Sequence, residues 1–469
     1  MSSDVPSTRR NTELLLLGFA VFVVVGAEAA VEGTWYGHFS SHLITYAAVP
    51  LGAGLVTHLV IRRVAPYADP LLLPVVVLLN GLGLVMIHRL DLGLKQRAAE
   101  FGTSFDGAAA PTQVVWTALG VSVFVALIVL IRDYRILQRY AYTVALLGLF
   151  LLLIPSVLPA RFSEVNGARI WIRVAGFSIQ PGEFAKVLLT IFGASYLVAK
   201  RDVLSLAGRR VMRIDLPRGR DLGPLLAAWL ICIGVLVRGH DLGTSLMFFG
   251  VFIVLLYVAT ERVGWVIVGL LLFAGGAYLS YQLFNTVQTR VGVWLHPFSP
   301  AYDGYQLQQS LFGLGTGGVF GTGLGAGHPE LVPLPATDFI ISSFGEETGL
   351  FGLAALLVLY AVFVGRGIAA GLGVRDAFGK LLATGLSFLV ALQVFVVVAG
   401  VTRLLPETGL TTPFLSYGGS SLVGSYAILA LLMRISDAAR RPTVSGPRVA
   451  GQPDDPAGER QSRGRAVRA

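Results

Sequence analysis

The chain has 469 residues, of which 54% are hydrophobic and only 13% charged, with a formal net charge of +9 and a mean hydropathy of +0.72. Repeated apolar stretches of about 20 residues make it an all-α polytopic membrane protein, and they exclude a soluble globular domain, which does not carry about a dozen helices apolar on every face. The single cysteine, Cys232, lies in an apolar span, which excludes a disulfide framework or a cysteine metal site.

In chain order the predicted spans are 13–31, 42–60, 70–88, 113–131, 140–158, 182–199, 222–238, 242–260, 263–283, 348–365, 381–402 and 414–433, about 12 transmembrane helices in all. The first follows Arg9-Arg10, is long enough to cross and lacks a small-residue cleavage site, so it reads as an anchor. The first two spans, residues 1–62, carry few polar features and read as an added pair. Residues 63–436 form the body. Residues 437–469, rich in Arg, Pro, Gly and Asp, are expected to be a disordered cytoplasmic tail.

Most of the 36 Lys and Arg residues fall in segments on the N-terminal side of the membrane, which places both termini in the cytoplasm. The net charge is therefore an orientation signal. Nucleic-acid binding, which needs a basic soluble face, is not expected. The most basic of these segments, 200–221, reads as a contact for anionic membrane lipids.

Four polar motifs then fall on the opposite, outer side. The first runs Asn166-Gly167-Ala168-Arg169-Ile170-Trp171-Ile172 and on through Gln180-Pro181-Gly182-Glu183-Phe184-Ala185-Lys186. Its arginines, Arg161, Arg169 and Arg173, break the positive-inside bias, which suits an anionic ligand or structural pairing with loop carboxylates. Glu183 and Lys186, three apart on one helix face, can pair within the membrane; ionisable groups there point to function first and to a structural pair second. The second motif is Arg238-Gly239-His240-Asp241-Leu242-Gly243-Thr244, a tight turn in which Arg238 and Asp241 invite a salt bridge. His240 has no second His or Cys at ligand spacing and is given no role.

The third motif is a stretch of about sixty residues, 285–347, that is neither apolar enough to span nor featureless enough to be a linker. Loops longer than about 15 residues without secondary structure of their own are usually functional or disordered, and the aromatic, Gly and Gln content here favours order. Within it stand Arg290, the run Gly304-Tyr305-Gln306-Leu307-Gln308-Gln309-Ser310, and Thr337-Asp338-Phe339. Asp338 meets an apolar surface, a setting that raises a carboxylate pKa and improves it as a base. Glu346 and Glu347 fall at the first turn expected for the next helix, where acids cap the dipole. The fourth motif, 405–421, holds two prolines, a Gly-Gly pair and three serines, the composition of a broken helix mouth. Such backbone is tolerated at membrane depth only where protein or a water-filled cavity covers it.

These motifs resemble those of the SEDS family of bacterial cell-wall glycosyltransferases, the relatives of RodA, FtsW and SpoVE. Asn-Gly-Ala-Arg-x-Trp-Ile, Gln-Pro-x-Glu-Phe-x-Lys, Asp-Leu-Gly-Thr, Tyr-Gln-x-x-Gln-Ser, Thr-Asp-Phe-Ile with Gly-Glu-Glu, and Pro-Phe-x-Ser-Tyr-Gly-Gly-Ser-Ser appear in family order over about residues 70–436. The resemblance implies a core of ten spans, with two N-terminal helices added as in some actinobacterial members, and a lean toward an elongation-type member. Gly182, His240 and Arg403 depart from the family pattern and leave the outer turn geometry open.

By the same resemblance the activity is polymerisation of lipid II. Asp338 is the catalytic candidate, deprotonating or positioning the attacking 4-hydroxyl of the acceptor GlcNAc. Arg169, Lys186 and Arg290 are candidates to neutralise the departing diphosphate. Trp171, Glu183, Asp241, Gln306, Gln309, Ser310, Thr337 and Ser416 complete the candidate substrate-binding set. A divalent cation, Mg or Mn, can share the electrostatic work, although no ligand cluster is evident. The implied partner is a class B penicillin-binding protein, a transpeptidase. Two other readings compete: a lipid II flippase, which needs polar features on both sides of the membrane, and a non-catalytic scaffold, for which Asp338 is dispensable.

Overall fold

In lipid the backbone has no partner but itself, so apolar stretches become long helices. The computed structural model describes residues 8–442 apart from residues 40, 106, 166–167, 175–176, 206–208, 212–213, 217–233 and 235–241. Its helices are α1 (Arg10–Tyr36), α2 (Ser41–Val64), α3 (Leu72–Phe101), α4 (Ala109–Leu130), α5 (Ile136–Arg139), α6 (Ala141–Val157), α7 (Ala160–Ser163), α8 (Pro181–Ser205), α9 (Leu242–Thr260), α10 (Val263–Leu283), α11 (Asn285–Leu295), α12 (Tyr305–Gly317), α13 (Ile340–Gly373), α14 (Ala377–Val401) and α15 (Gly419–Arg440). Three short antiparallel hairpins accompany them: Glu164–Val165 with Ala168–Arg169, Ile172–Val174 with Phe177–Ile179, and Arg209–Val211 with Ile214–Leu216. Two units divide the chain, Ser7–Arg440 and Met1–Pro6 with Arg441–Ala469, and every element named belongs to the first.

The protein is an all-α polytopic membrane protein. Among the described residues ten helices are long and apolar enough to cross a membrane, and Ala141–Val157 is apolar but shorter. The predicted span 222–238 falls almost wholly outside the described residues and the predicted span 140–158 is the shorter helix Ala141–Val157, so ten rather than twelve is the number among the described residues. α3 and α15 form the buried centre, with 89% and 83% of their apolar windows inside the bundle, while α10 is peripheral at 6%.

Three expectations are corrected. The 285–347 stretch is not a loop without secondary structure: α11, α12, a 3-10 turn at Pro329–Leu331 and the start of α13 occupy it. α13 begins at Ile340, so Glu346 and Glu347 are past its first turn and cannot cap it. They stand just before Gly349, whose φ of 67° breaks the helix. The first two helices are not poor in polar features either. Glu13, Glu28 and Glu32 are fully buried on α1, with Glu13 bonded to Arg10 and to His58 of α2, and Glu28 to His88 of α3 at 2.6 Å. Buried charges need such partners. The pair is docked by its acids.

The end of the bundle that holds Asp69 is also locked by ions. Asp69 accepts from Arg366 at 2.8 Å and from Arg440, and its own N–H donates to Ser436. Asp437 accepts from the Tyr67 N–H at 2.9 Å and is buried within α15, so the expected tail starts later than residue 437. Residues 443–469 lie outside the described residues.

Candidate active site

At the opposite end, the stretch before α13 meets the stretch before α15. Each is bent by backbone that side chains rarely adopt, with φ of 53° at Leu334 and 64° at Phe414. Phe414 is held in that shape by edge contacts to Phe363 and Tyr426, centroids 5.7 and 5.8 Å away. Local strain of this kind persists only where surrounding packing determines it. The two stretches are stitched together by Ser416. Its hydroxyl donates to the Thr337 carbonyl at 2.7 Å and accepts from the Thr412 N–H at 2.8 Å, while the Tyr417 N–H donates to the Ala336 carbonyl at 2.8 Å. Thr337 and Ser416 therefore set the backbone that presents Asp338.

Asp338 is partly buried. Burial pushes its carboxyl group up to about 6, against the pull of the Arg290 guanidinium and a hydrogen bond from the Thr337 hydroxyl. A base poised just below neutral pH is suited to taking a proton from a hydroxyl group. Arg290, on α11, reaches the Thr408 carbonyl at 3.5 Å. It acts electrostatically on Asp338, and among the described residues it forms no ion pair.

Behind this centre lies a second layer. Lys186 Nζ donates to Glu183 at 2.8 Å and to Gln393 Oε1 at 3.0 Å, and Gln393 Nε2 donates to the Thr411 carbonyl at 2.7 Å. All three side chains are buried. The Gln180 N–H donates to Ser420 at 2.8 Å, so the first and fourth motifs meet. From the second motif, Gly243 packs so closely on the Thr408 carbonyl that a Cβ there would stand 2.9 Å from it.

Other candidates stand differently. Arg169 pairs with Glu164 at 3.0 Å, both partly exposed, and Trp171 donates its N–H to the Ser163 carbonyl at 3.3 Å. Among the described residues no contact ties either to Asp338. Gln306 donates to the Pro333 carbonyl at 3.0 Å, bracing the stretch that leads to Asp338. Gln309 is partly buried on α12. Ser310 is fully buried, with no partner for its hydroxyl among the described residues. Asp241, Arg238 and His240 lie outside the described residues. Among the described residues no three His, Cys, Asp or Glu side chains gather as metal ligands.

Sequence reasoning passes over two residues. Gln393 is a lone amide in an apolar helix, a signal that is present but unspecific. Glu407 stands inside the fourth motif, where the prolines, glycines and serines draw attention; the available signal is an acid without an obvious mate at a membrane rim. Burial and the Asp338 charge together push Glu407 up to about 7, with Arg290 pulling the other way.

The family model described as Cell cycle protein, which groups FtsW, RodA and SpoVE, matches residues 70–441. Over 442 residues the chain is 52% identical to the peptidoglycan glycosyltransferase RodA of Mycobacterium tuberculosis, covering 94% of this chain and 93% of that protein. Among solved structures, it resembles a chain from work on the structural coordination of polymerization and crosslinking by a peptidoglycan synthase complex. That likeness has a TM-score of 0.58 and 26% identity, over 77% of this chain and 98% of the other. The rod shape determining protein RodA of Thermus thermophilus gives a TM-score of 0.53 and 25% identity, over 80% of this chain and 98% of that one.

Proposed function

Since this chain belongs to the FtsW, RodA and SpoVE family and is a peptidoglycan glycosyltransferase, we propose that it polymerises lipid II at the outer face of the cytoplasmic membrane, with Asp338 as the base. The observation that carries this reading is the placement of Asp338: a partly buried carboxylate held by the Ser416 stitch, under the pull of a guanidinium that forms no ion pair among the described residues. In the transfer step the 4-hydroxyl oxygen of the acceptor GlcNAc forms a bond to the anomeric carbon of the donor. The bond from that carbon to the diphosphate oxygen breaks. The hydroxyl proton passes to Asp338, and the electron pair leaves on the diphosphate, whose charge Arg290 offsets.

Lys186 acts from behind in this scheme, bracing the 411–416 stretch through Gln393, and Arg169 with Trp171 belongs to the outer rim where substrate arrives. In this reading α1 and α2 are an added pair, and the glycosyltransferase core runs from residue 63 to the end of α15. Excess Lys and Arg on one side of the predicted spans supports cytoplasmic termini. The likeness to a chain of a synthase complex that couples polymerization to crosslinking supports a transpeptidase partner, of the class B penicillin-binding type. The RodA relatives support a role in elongation.

The test is glycan polymerisation from lipid II by the purified protein with its partner transpeptidase in proteoliposomes. Asp338→Ala is expected to abolish polymer while leaving expression intact; full activity in that variant would remove Asp338 from the chemistry. Lipid II translocation that survives Asp338→Ala, in a protein that makes no polymer, would instead favour a flippase.

A further inference from the structure

Around the last turns of α3 lie two adjoining cavities that the transfer scheme does not use. Their volumes are about 490 and 460 Å³, and Arg97 and Phe101 line both. To the larger, Thr34 and Trp35 of α1, Gln96 of α3 and His328 add polar groups. To the smaller, Leu94, Ala98 and Phe105 add apolar ones. One wall of the larger cavity is thus α1, which precedes the family match at residue 70. α1 is seated firmly there: the Thr34 hydroxyl donates to the Leu324 carbonyl at 3.0 Å, and a Cβ at Gly325 would stand 3.1 Å from Trp35 Cδ1.

Depth and charge set the chemistry of the pair. The Asp69 ion lock marks one edge of the bundle, next to the start of α3 at Leu72. The far edge is marked where α4 begins, with the Ala109 and Ala110 N–H groups donating to Asp91 at 2.9 and 2.7 Å. At 1.5 Å per residue Asp91 stands about 29 Å along α3 from Leu72, close to the thickness of a hydrocarbon core. Arg97 lies about 9 Å beyond Asp91, in the headgroup layer, and the 102–108 stretch returns from there to the start of α4. The acids lining the larger cavity already have partners. Glu330 takes Arg89 at 2.9 Å and His328 at 3.1 Å, and Glu100 accepts from Gln96 at 2.8 Å. Arg97 gives one nitrogen to the Glu330 carbonyl at 3.1 Å and lies 5.9 Å from the Phe101 ring; among the described residues it forms no ion pair. Its other donors suit a phosphate, which a guanidinium grips in a bidentate way.

We propose that Arg97 and the two cavities bind an anionic phospholipid, with its phosphate on the guanidinium and one acyl chain descending past Leu94 and Phe105. Its headgroup then bridges α1 and the 325–331 stretch. A resident lipid fits this place better than the carrier lipid of the transfer reaction. Arg97 stands about 21 Å further along α3 than Gly83, and it is Gly83 that meets Leu415 of the transfer site. The carrier's diphosphate has to reach Asp338 instead.

The test is native mass spectrometry of the whole protein in detergent, titrated with dioctanoyl phosphatidylglycerol. The parent, Arg97→Gln and Glu100→Gln are compared; every other basic site is the same in all three, so their differences report this one. Arg97→Gln is expected to bind one phosphatidylglycerol about ten- to a hundredfold more weakly, the loss of a charge-assisted contact. Glu100→Gln removes the acid beside Arg97 and should bind that lipid more tightly than the parent. The two variants move in opposite directions, which a general loss of folding cannot mimic. Dioctanoylglycerol, with the same chains and no phosphate, should show no difference among the three. Equal phosphatidylglycerol affinity in the parent and Arg97→Gln, or weaker binding in Glu100→Gln, overturns the proposal. Undecaprenyl phosphate held through Arg97 in preference to phosphatidylglycerol also overturns it, in favour of the carrier lipid. None of these outcomes bears on Asp338, which polymerisation tests separately.

Discussion

Arg89, on α3, and Glu347, just before the break in α13, form an ion pair in which neither side chain has any exposed surface. The same guanidinium donates to Glu330 at 2.9 Å and to the Gly327 carbonyl, and it lies 5.2 Å from the Trp35 ring of α1. Glu347 also accepts from the Gly325 N–H at 2.9 Å. One cation therefore ties α1, α3, the 325–330 stretch and α13 into a single cap beside the site. α3 runs on to Phe101, well beyond the predicted end at residue 88, and the first charge past that end, Arg89, is neutralised in place.

Removing Arg89 strands two buried carboxylates. Arg89→Leu is expected to cost about 3–5 kcal/mol, the usual penalty for breaking a buried pair from one side. Thermal unfolding in detergent measures it. The double variant Arg89→Leu/Glu347→Leu should regain part of the loss, because no uncompensated charge remains at Glu347. A parent-like melting temperature for Arg89→Leu alone would show that the cap does not depend on the pair.

Asp338 is costly to the fold, and the sign of that cost can be worked out. Its folded pKa, about 6, lies above the ordinary value of 3.8. Its contribution to stability is thus fully present below the ordinary carboxylate pKa and is lost as pH rises through about 6. Asp338→Asn should therefore melt higher than the parent at pH 8, with the gap closing by about pH 4. Polymerisation by the same variant should fall by roughly 10²–10⁴, the usual worth of a general base. Melting curves at the two pH values check the first expectation, and initial rates check the second. An Asn variant that is less stable at pH 8 would contradict the burial cost.

Arg290 pulls on Asp338 and Glu407 alike. Arg290→Gln removes, among the described residues, the one cation that lowers both acids, so the acid limb of the rate profile should move up in pH. The plateau should fall as well, since the diphosphate loses its counter-charge. Both changes are read from one pH series. A limb that stays in place would separate Arg290 from Asp338.

Much of this was legible in the residues. The hydropathy pattern shows the helices, and the motif residues Asp338, Thr337, Ser416, Glu183 and Lys186 are brought together at one candidate site. What escapes is pairing over long sequence distance. Glu28 on α1 and His88 on α3 are sixty residues apart, and Arg89 and Glu347 are 258 apart; neither partner signals the other by periodicity. Glu346 and Glu347 mislead for a related reason. An acid beside an apolar run looks like a helix cap until the helix is found to begin six or seven residues earlier, at Ile340. Helices inside the 285–347 stretch escape because α11 and α12 are short and α12 is rich in Gly and Gln, so their apolar period is faint.

The site can be disturbed without touching any acid. Gly83, on α3, faces the Leu415 carbonyl, and a Cβ there would stand 2.3 Å from that oxygen. Backbone cannot move aside as a side-chain tip can. Gly83→Ala should cost about 1–3 kcal/mol through overpacking and shift the 413–417 stretch whose Ser416 holds Thr337. Polymerisation should fall more than stability does, because transfer depends on placement within about an ångström. The melting temperature and the initial rate, measured together, decide this. A variant with parent-like rate would mean that the stretch is not rigidly coupled to Asp338.

Lys186 separates support from chemistry. Its ammonium group is shared between Glu183 and Gln393, and Gln393 in turn holds the Thr411 carbonyl. Lys186→Met leaves Glu183 charged and unpartnered in the bundle, and should lose about 3–5 kcal/mol. Adding Glu183→Gln removes the stranded charge, so the double variant should fold nearly as well as the parent. If Lys186 only braces the 411–416 stretch, polymerisation by the double variant returns to within a few-fold of normal, since Gln393 still reaches Thr411. If the ammonium group instead meets the diphosphate, stability returns while the rate stays low. A neutral pair of similar size keeps the packing, so the restored fold and the remaining rate are read on the same protein, and the bracing role is the outcome expected from the buried geometry.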